Sequence, residues 1–264
     1  KQTLKSKEAA FEFGLASTTA CAIRQAFAKV FPGNDGAMNN RLIVAVRKCI
    51  DSSDKERGER DIHDGDPSVL RGFQFNANSP LDAVLALRPS AELTPGNQLR
   101  ISLPAISKQD IKGPYCNEYL IRLVAISFDF RKAVYSYSGY HEIKIDHRNP
   151  FSGGEIIMDG VSTPGRMLLL SMSVHGYNAD GFGGMQSINS QDWSPAEIIA
   201  GWQISDSEQE PEVVVQSFPM TYSGNELLSK IMKIRATQKK LKVTLRQVPP
   251  KGEFKLPKGD IPMG

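Results

Sequence analysis

The sequence predicts an α+β protein, with a helical hairpin first, an antiparallel β-sandwich next and a small basic strand-helix-strand appendage last. Three observations carry this reading. Apolar residues recur at three-four spacing up to about residue 50, and from Val69 a near two-residue alternation takes over and persists to about residue 204. The segments that alternate are joined by short stretches rich in glycine and proline, which suit antiparallel connections and leave no room for helical crossovers. The expected division is therefore 1–60 for the hairpin, 61–204 for the sandwich and 205–264 for the appendage and tail.

In the first helix Phe13, Ala16, Ala20, Ile23, Phe27 and Val30 form one apolar stripe. Pro32-Gly-Asn-Asp-Gly36 should end it, and Leu42, Val46, Cys49 and Ile50 give a second apolar face on a helix of about 12 residues. Each stripe must be covered, by the other helix, by the β region or by another subunit. A polar connector, Asp51 to Arg60, leads into Asp61-Ile-His-Asp-Gly-Asp-Pro67. Its carboxylates resemble a calcium loop, but no glutamate follows at the twelfth position and Pro67 interrupts it, so turn chemistry is the simpler account.

Nine strands are expected: Leu70 to Asn76, Asp82 to Leu87, Gln98 to Leu103, Glu118 to Phe130, Ala133 to Ser138, Tyr140 to Asp146, Glu155 to Asp159, Met167 to Val174 and Glu197 to Ile204. An immunoglobulin-like or fibronectin-like sandwich is the natural packing of so many short strands, although no cysteine pair brackets a tryptophan. Tyr119 to Ile126 and Met167 to Leu170 are nearly all apolar and read as central strands, with Arg122 as the exception. Phe128, Phe130, Tyr135, Tyr137 and Tyr140 cluster in sequence, either as cross-strand core packing or as a platform for a carbohydrate.

Motifs for chemistry are absent. No Gly-x-Ser-x-Gly elbow, His-Glu-x-x-His helix or phosphate-binding glycine loop occurs, and no cofactor is expected. In His141-Glu-Ile-Lys-Ile-Asp-His147 the two histidines share one strand face but lie roughly 20 Å apart, too far to share a metal or a proton. Gly176 to Gly184 is glycine-rich after a strand, yet Met185 to Trp193 shows no helical stripe, so a long surface loop is expected there. Loops on a rigid scaffold are where partners bind, which makes Tyr177, Phe182 and Trp193 the candidate partner-binding residues; the competing reading has Trp193 and Trp202 anchoring the loop to the core.

Beyond an acidic linker, Ser205 to Pro211, the expected elements are a strand at Val213 to Gln216, a helix at Asn225 to Lys240 and a strand at Leu241 to Gln247. Pro249 to Gly264 contains four prolines and should be extended. Residues 226–264 hold ten basic and three acidic residues, so a chain of formal charge +3 has a net negative body and a basic end. Lys230, Lys233, Arg235, Lys239, Lys240 and Lys242 are accordingly candidates for an anionic partner, nucleic acid or surface, set against a plain solvated helix face. No aromatic residue lies among them to stack on bases.

Cys21, Cys49 and Cys116 are too few and scattered for a disulfide framework or zinc site; Cys21 and Cys49 sit on consecutive helices and either face one another or remain buried thiols. No apolar stretch reaches the roughly 18 residues of a membrane span. The chain starts at Lys1 with a polar stretch to Glu8, so a natural start is expected elsewhere and no compartment is assigned.

Phe11-Glu-Phe-Gly-Leu-Ala-Ser17, Ala22-Ile-Arg-Gln-Ala-Phe27, Asn40-Arg-Leu42, Arg57-Gly-Glu-Arg60 and Gly72-Phe-Gln-Phe-Asn-Ala-Asn-Ser-Pro80 together resemble a family of Bacteroidetes proteins of unknown function. The resemblance covers roughly residues 8 to 204 and implies a helical pair followed by a β-rich region, with no activity attached. The expectation for function is thus a non-enzymatic structural or interaction protein that binds a protein partner or assembles with itself. A carbohydrate-binding or cell-surface module and an anionic-surface binder are the alternatives.

Overall fold

The structure is a computed structural model that describes residues 3–95, 98–161, 164–205 and 216–247, with side chains to residue 239 in the last stretch. Helix α1 (Leu4–Phe27) starts where the Thr3 hydroxyl accepts the Ser6 N–H at 3.2 Å. Its buried face is built from Leu15, Ala16, Thr19, Ala20, Ala22, Ile23, Ala26 and Phe27. Of the expected stripe, Ala16, Ala20, Ile23, Phe27 and Val30 are buried and Phe13 alone is exposed. Helix α2 (Met38–Asp51) buries Leu42, Val46, Cys49 and Ile50 as expected.

The β region holds β1 (Phe73–Gln74), β2 (Ser90–Leu93), β3 (Gln98–Leu103), β4 (Glu118–Asp129), β5 (Val134–Asp146), β6 (Gly154–Asp159), β7 (Met167–Ala179), β8 (Met185–Ser187), β9 (Ala196–Gln203) and β10 (Phe218–Pro219). The larger sheet runs β1-β9-β7-β4-β5-β10 with β8 hung on β7, the smaller runs β2-β3-β6, and the pairings are antiparallel.

Several expected segments take another form. Leu70 to Asn76 pairs only at Phe73 and Gln74, since Pro67–Leu70 is a 3-10 turn started by Asp66. Asp82 to Leu87 is not a strand: Pro80 caps the short helix α3 (Leu81–Val84), and Gln74 Oε1 accepts the Leu81 N–H at 2.9 Å. Ala133 to Ser138 and Tyr140 to Asp146 are one strand, because Gly139 lies within it opposite Ala125, where a bulge shifts register. A Cβ on Gly139 would stand 2.5 Å from Met158 Sδ, so a side chain here would force Met158 to move. Leu241 to Gln247 continues helix α4 (Gly224–Gln247) rather than forming a strand. The strand expected at Val213 to Gln216, the linker around Glu208 and the tail from Pro249 lie outside the described residues, apart from Gln216 itself.

The two sheets face one another, and helices close the other side of the larger one. On β4, Tyr119, Ile121, Leu123 and Ala125 pack toward Leu99, Ile101 and Leu103 of β3, while Val124, Ile126 and Phe128 join the cluster that contains α1 and α2. On β7, Leu168, Leu170, Met172 and Val174 take the first direction, and Met167 and Leu169 the second. Both central strands are therefore buried on two faces, which explains their unbroken apolar runs. The sandwich expected from alternation alone leaves the outer face of each sheet to water; here the helices cover one of those faces.

Helix α4 lies against α1, with Ile231 fully buried and Leu227 Cδ1 so placed that a Cβ on Gly14 would meet it at 3.3 Å. An ion-pair network fastens it. The buried Glu12 carboxylate accepts from Arg60 at 2.9 and 3.2 Å and from the Gly58 N–H at 3.2 Å, and Arg235 donates to Glu8 at 2.8 Å, to Glu59 and to the Arg57 carbonyl at 2.7 Å. Glu12→Ala removes the carboxylate from beneath Arg60 and Arg57, the latter 3.3 Å away, and should cost about 3 kcal/mol of unfolding free energy, whereas Arg47→Ala in its exposed pair with Asp51 should cost under about 0.5. Urea denaturation of the two variants distinguishes them, and equal costs would contradict a buried clasp.

Candidate functional site

One end of the larger sheet carries the most exposed aromatic residues of the described chain. The stretch expected as a long loop is a hairpin, because β7 runs on to Ala179 and pairs with β8. Its stem is locked by Asn117: the Asn117 N–H donates to Tyr177 O at 2.9 Å and Asn178 Oδ1 at 2.8 Å, and Asn117 Oδ1 accepts the Ala179 N–H at 2.7 Å. At the tip, Asp180 Oδ1 accepts the N–H groups of Phe182 at 2.8 Å and Gly184 at 2.9 Å. Gly181 and Gly183 sit at φ +81° and +92°, a region that residues with a Cβ rarely enter. The sequence Asp-Gly-Phe-Gly-Gly thus builds an ordered tip that holds the Phe182 ring out, 97% exposed.

Tyr115 stands at the same end, 86% exposed, with Lys108 Nζ 5.2 Å from its ring centre. A concavity of about 520 Å³ opens there between Lys108, Gln109, Tyr115, Asn117 and His147. Of the three expected partner-binding residues, Phe182 is free, Tyr177 is half-buried in the hairpin stem, and Trp193 is only 8% exposed. Trp193 Nε1 donates to Lys112 O at 3.2 Å, and its ring lies over Gly113, where a Cβ would come within 2.6 Å. It holds the segment after β8 to the core and offers no face to a partner. Tyr115 was not singled out by sequence reasoning, since the Gly-Pro-Tyr-Cys stretch around it has no periodicity to show which way its side chain points.

A second cluster is polar and lies on the helix side of the sheet. Register sets Arg122 of β4 between Ser173 of β7 and Glu142 of β5, and the Arg122–Glu142 pair closes at 2.7 Å. Ser173 Oγ and His175 Nε2 lie 2.9 Å apart, a serine-histidine pair that sequence reasoning passed over although Ser171, Ser173 and His175 alternate with Met172 and Val174. Both residues are at most 3% exposed, so neither reaches a substrate in this conformation. The adjacent groove, about 370 Å³ between Lys29, Val30, Arg122, Val124, Tyr137 and Tyr140, is lined by neither. Tyr135 and Tyr137 pack on Phe218, and Tyr137 donates to Ala26 O at 2.9 Å, which leaves Tyr140 as the exposed ring of that cluster.

His63 occupies a comparable interior position. Its Nε2 accepts the Phe130 N–H at 3.1 Å and its Nδ1 lies 3.2 Å from Gln203 Oε1, which fixes the neutral tautomer with the proton on Nδ1. Burial holds its pKa below the usual imidazole value. The neighbouring carboxylates that resembled calcium ligands serve as caps: Asp61 Oδ1 accepts the His63 N–H, Asp64 Oδ2 the Asp61 N–H and Asp66 Oδ1 the Ser68 N–H.

Among the basic residues of the C-terminal helix, Lys233 and Lys239 are exposed and Lys230 lies 3.8 Å from Glu226. Arg235 is turned inward onto Glu8 and Glu59 and belongs to the clasp. The side chains of Lys240 and Lys242 lie outside the described residues. Cys21, Cys49 and Cys116 are free thiols, with burial pushing that of Cys49 up to about 12. Among the described residues no helix is long and apolar enough to cross a membrane. No protein-family model matches the chain, and no curated protein matches it.

Burial pushes His175 down to about 4, with the Arg122 charge acting in the same direction and Glu142 opposing it. Unfolded, the ring titrates near the ordinary value of about 6.5, so the folded state binds fewer protons between these limits. Its contribution is fully present above pH 6.5 and is lost as pH falls toward 4, by about 3 kcal/mol over the whole window. In urea titrations at pH 7 and pH 4.5 the wild type should lose more stability than His175→Gln, by about 2 kcal/mol; equal losses would contradict a buried neutral imidazole.

Proposed function

We propose that this chain is a non-enzymatic interaction protein that recognises a protein partner through the sheet end carrying Phe182, Tyr115 and the flanking concavity. The observation that carries the reading is the combination of near-complete exposure of Phe182 with a tip held by hydrogen bonds to Asp180 and by two left-handed glycines. A solvated aromatic ring gains nothing for the fold, and the order around it removes part of the entropy that binding would otherwise cost. Aromatic anchors of this kind dominate interface energetics. The concavity beside it, with Tyr115, His147 and Lys108 on its walls, provides a polar rim.

Phe182→Ala should leave the unfolding free energy within about 0.5 kcal/mol of wild type, because the ring has few contacts to lose. The same change should weaken partner binding by about 2 kcal/mol, or roughly thirtyfold. Wild-type and Phe182→Ala chains are immobilised side by side and exposed to extract of the source cells and to the purified chain itself. A protein, or a second copy, retained by the wild type and lost from the variant supports the proposal. Equal retention by both sinks it.

A further inference from the structure

We propose that the groove between α2 and residues 69–73 is a second recognition site, which takes an acidic polypeptide segment carrying apolar anchor side chains. Its volume is about 480 Å³, and its apolar surface comes from Val44 on the helix and Val69 and Phe73 on the facing chain. Val44 and Val69 remain 55% and 39% exposed although both sit on rigid elements, a helix and a capped 3-10 turn. A branched aliphatic side chain left in water at each wall marks surface that a partner can bury.

Charge selects the partner. Arg41, Lys48 and Arg71 stand around the groove, and among the described residues no carboxylate lines it. Arg41 is committed to the protein itself, paired with Asp35 at 2.6 Å and donating to Gln74 O at 3.0 Å. Lys48 and Arg71 are exposed, and among the described residues neither has an ion-pair partner. Two uncommitted cations beside an apolar floor match carboxylates flanking apolar side chains.

Other occupants fit less well. Phe73 is buried to 9% exposure and offers no ring face for stacking a base, and two free cations are few for a nucleic-acid backbone. Two copies placed groove to groove would bring like charges together. Addition of a strand to the sheet edge is limited as well, since β1 has two residues and the Gln74 carbonyl is already held by Arg41.

The test is a fluorescence-anisotropy titration of the full chain against a dye-labelled peptide in which leucines alternate with glutamates, at low and at raised salt. Binding should be saturable and should weaken with salt. Lys48→Glu with Arg71→Glu should weaken it by about tenfold or more, and so should Val44→Asp, with circular dichroism unchanged in each. Phe182→Ala should leave it unaltered, which separates this site from the hairpin. The proposal is overturned if the charge-reversed chain binds as tightly as wild type. It is equally overturned if a peptide with lysines in place of the glutamates binds as well, or if a single-stranded oligonucleotide binds where the acidic peptide does not.

Discussion

The burial of β4 and β7 on both faces is the constraint on which the other elements depend. A strand that is apolar on two sides needs two covers, and no single sheet provides them. The smaller sheet covers one side with Leu99, Ile101, Ile156 and Met158, and α1 with α2 covers the other with Ile23, Phe27, Leu42 and Val46. The alternation of these two strands therefore decides which element goes on which side. Toward their far end the helix side of the sheet turns polar, and there Ser171, Ser173 and His175 of β7 meet Arg122 of β4. Ser171 donates to Val124 O at 3.2 Å, so polar groups in this buried row find partners within the sheet.

The same constraint leaves the ends of the sheet available for display. β7 is held along most of its length by β4 and β9, and only its last residues leave the body of the sheet to pair with β8. The hairpin tip is thus an extension of the most deeply buried strand rather than a separate loop. Its orientation is inherited from the core, and Asn117 transmits it by bonding to three successive residues, Tyr177, Asn178 and Ala179. The interaction role proposed for this tip asks only for a scaffold that does not move beneath it.

Much of the scaffold was legible because its signals are local and periodic. α2 was readable from four residues, and β3, β4, β6 and β9 fell close to their expected limits. The expectations that fail do so for different reasons: Pro80 starts a short helix at Leu81–Val84 inside the segment expected as a strand, and a bulge opposite Ala125 carries β5 straight through Gly139. The candidate site was half legible: Phe182 lies in a motif whose glycines and aspartate announce a turn, but composition cannot tell a ring that points outward from one that anchors, as Trp193 does. The Ser173–His175 pair, two residues apart on one face of β7, is written in the local alternation, but its burial comes from elements distant in sequence, and Tyr115 lies before β4 in a stretch with no periodicity to show that it is exposed.

The helices are half of the sheet's core and not an attachment to it. Native-state hydrogen exchange followed by mass spectrometry tests this most directly, since it reads the opening free energy of each element in one experiment. Amides of α1 and α2 should share the highest opening free energy with those of β3, β4 and β7, while the β7–β8 tip exchanges through local opening. If α1 and α2 instead open together well below the free energy of β4 and β7, the helices are a separable unit and the account is wrong.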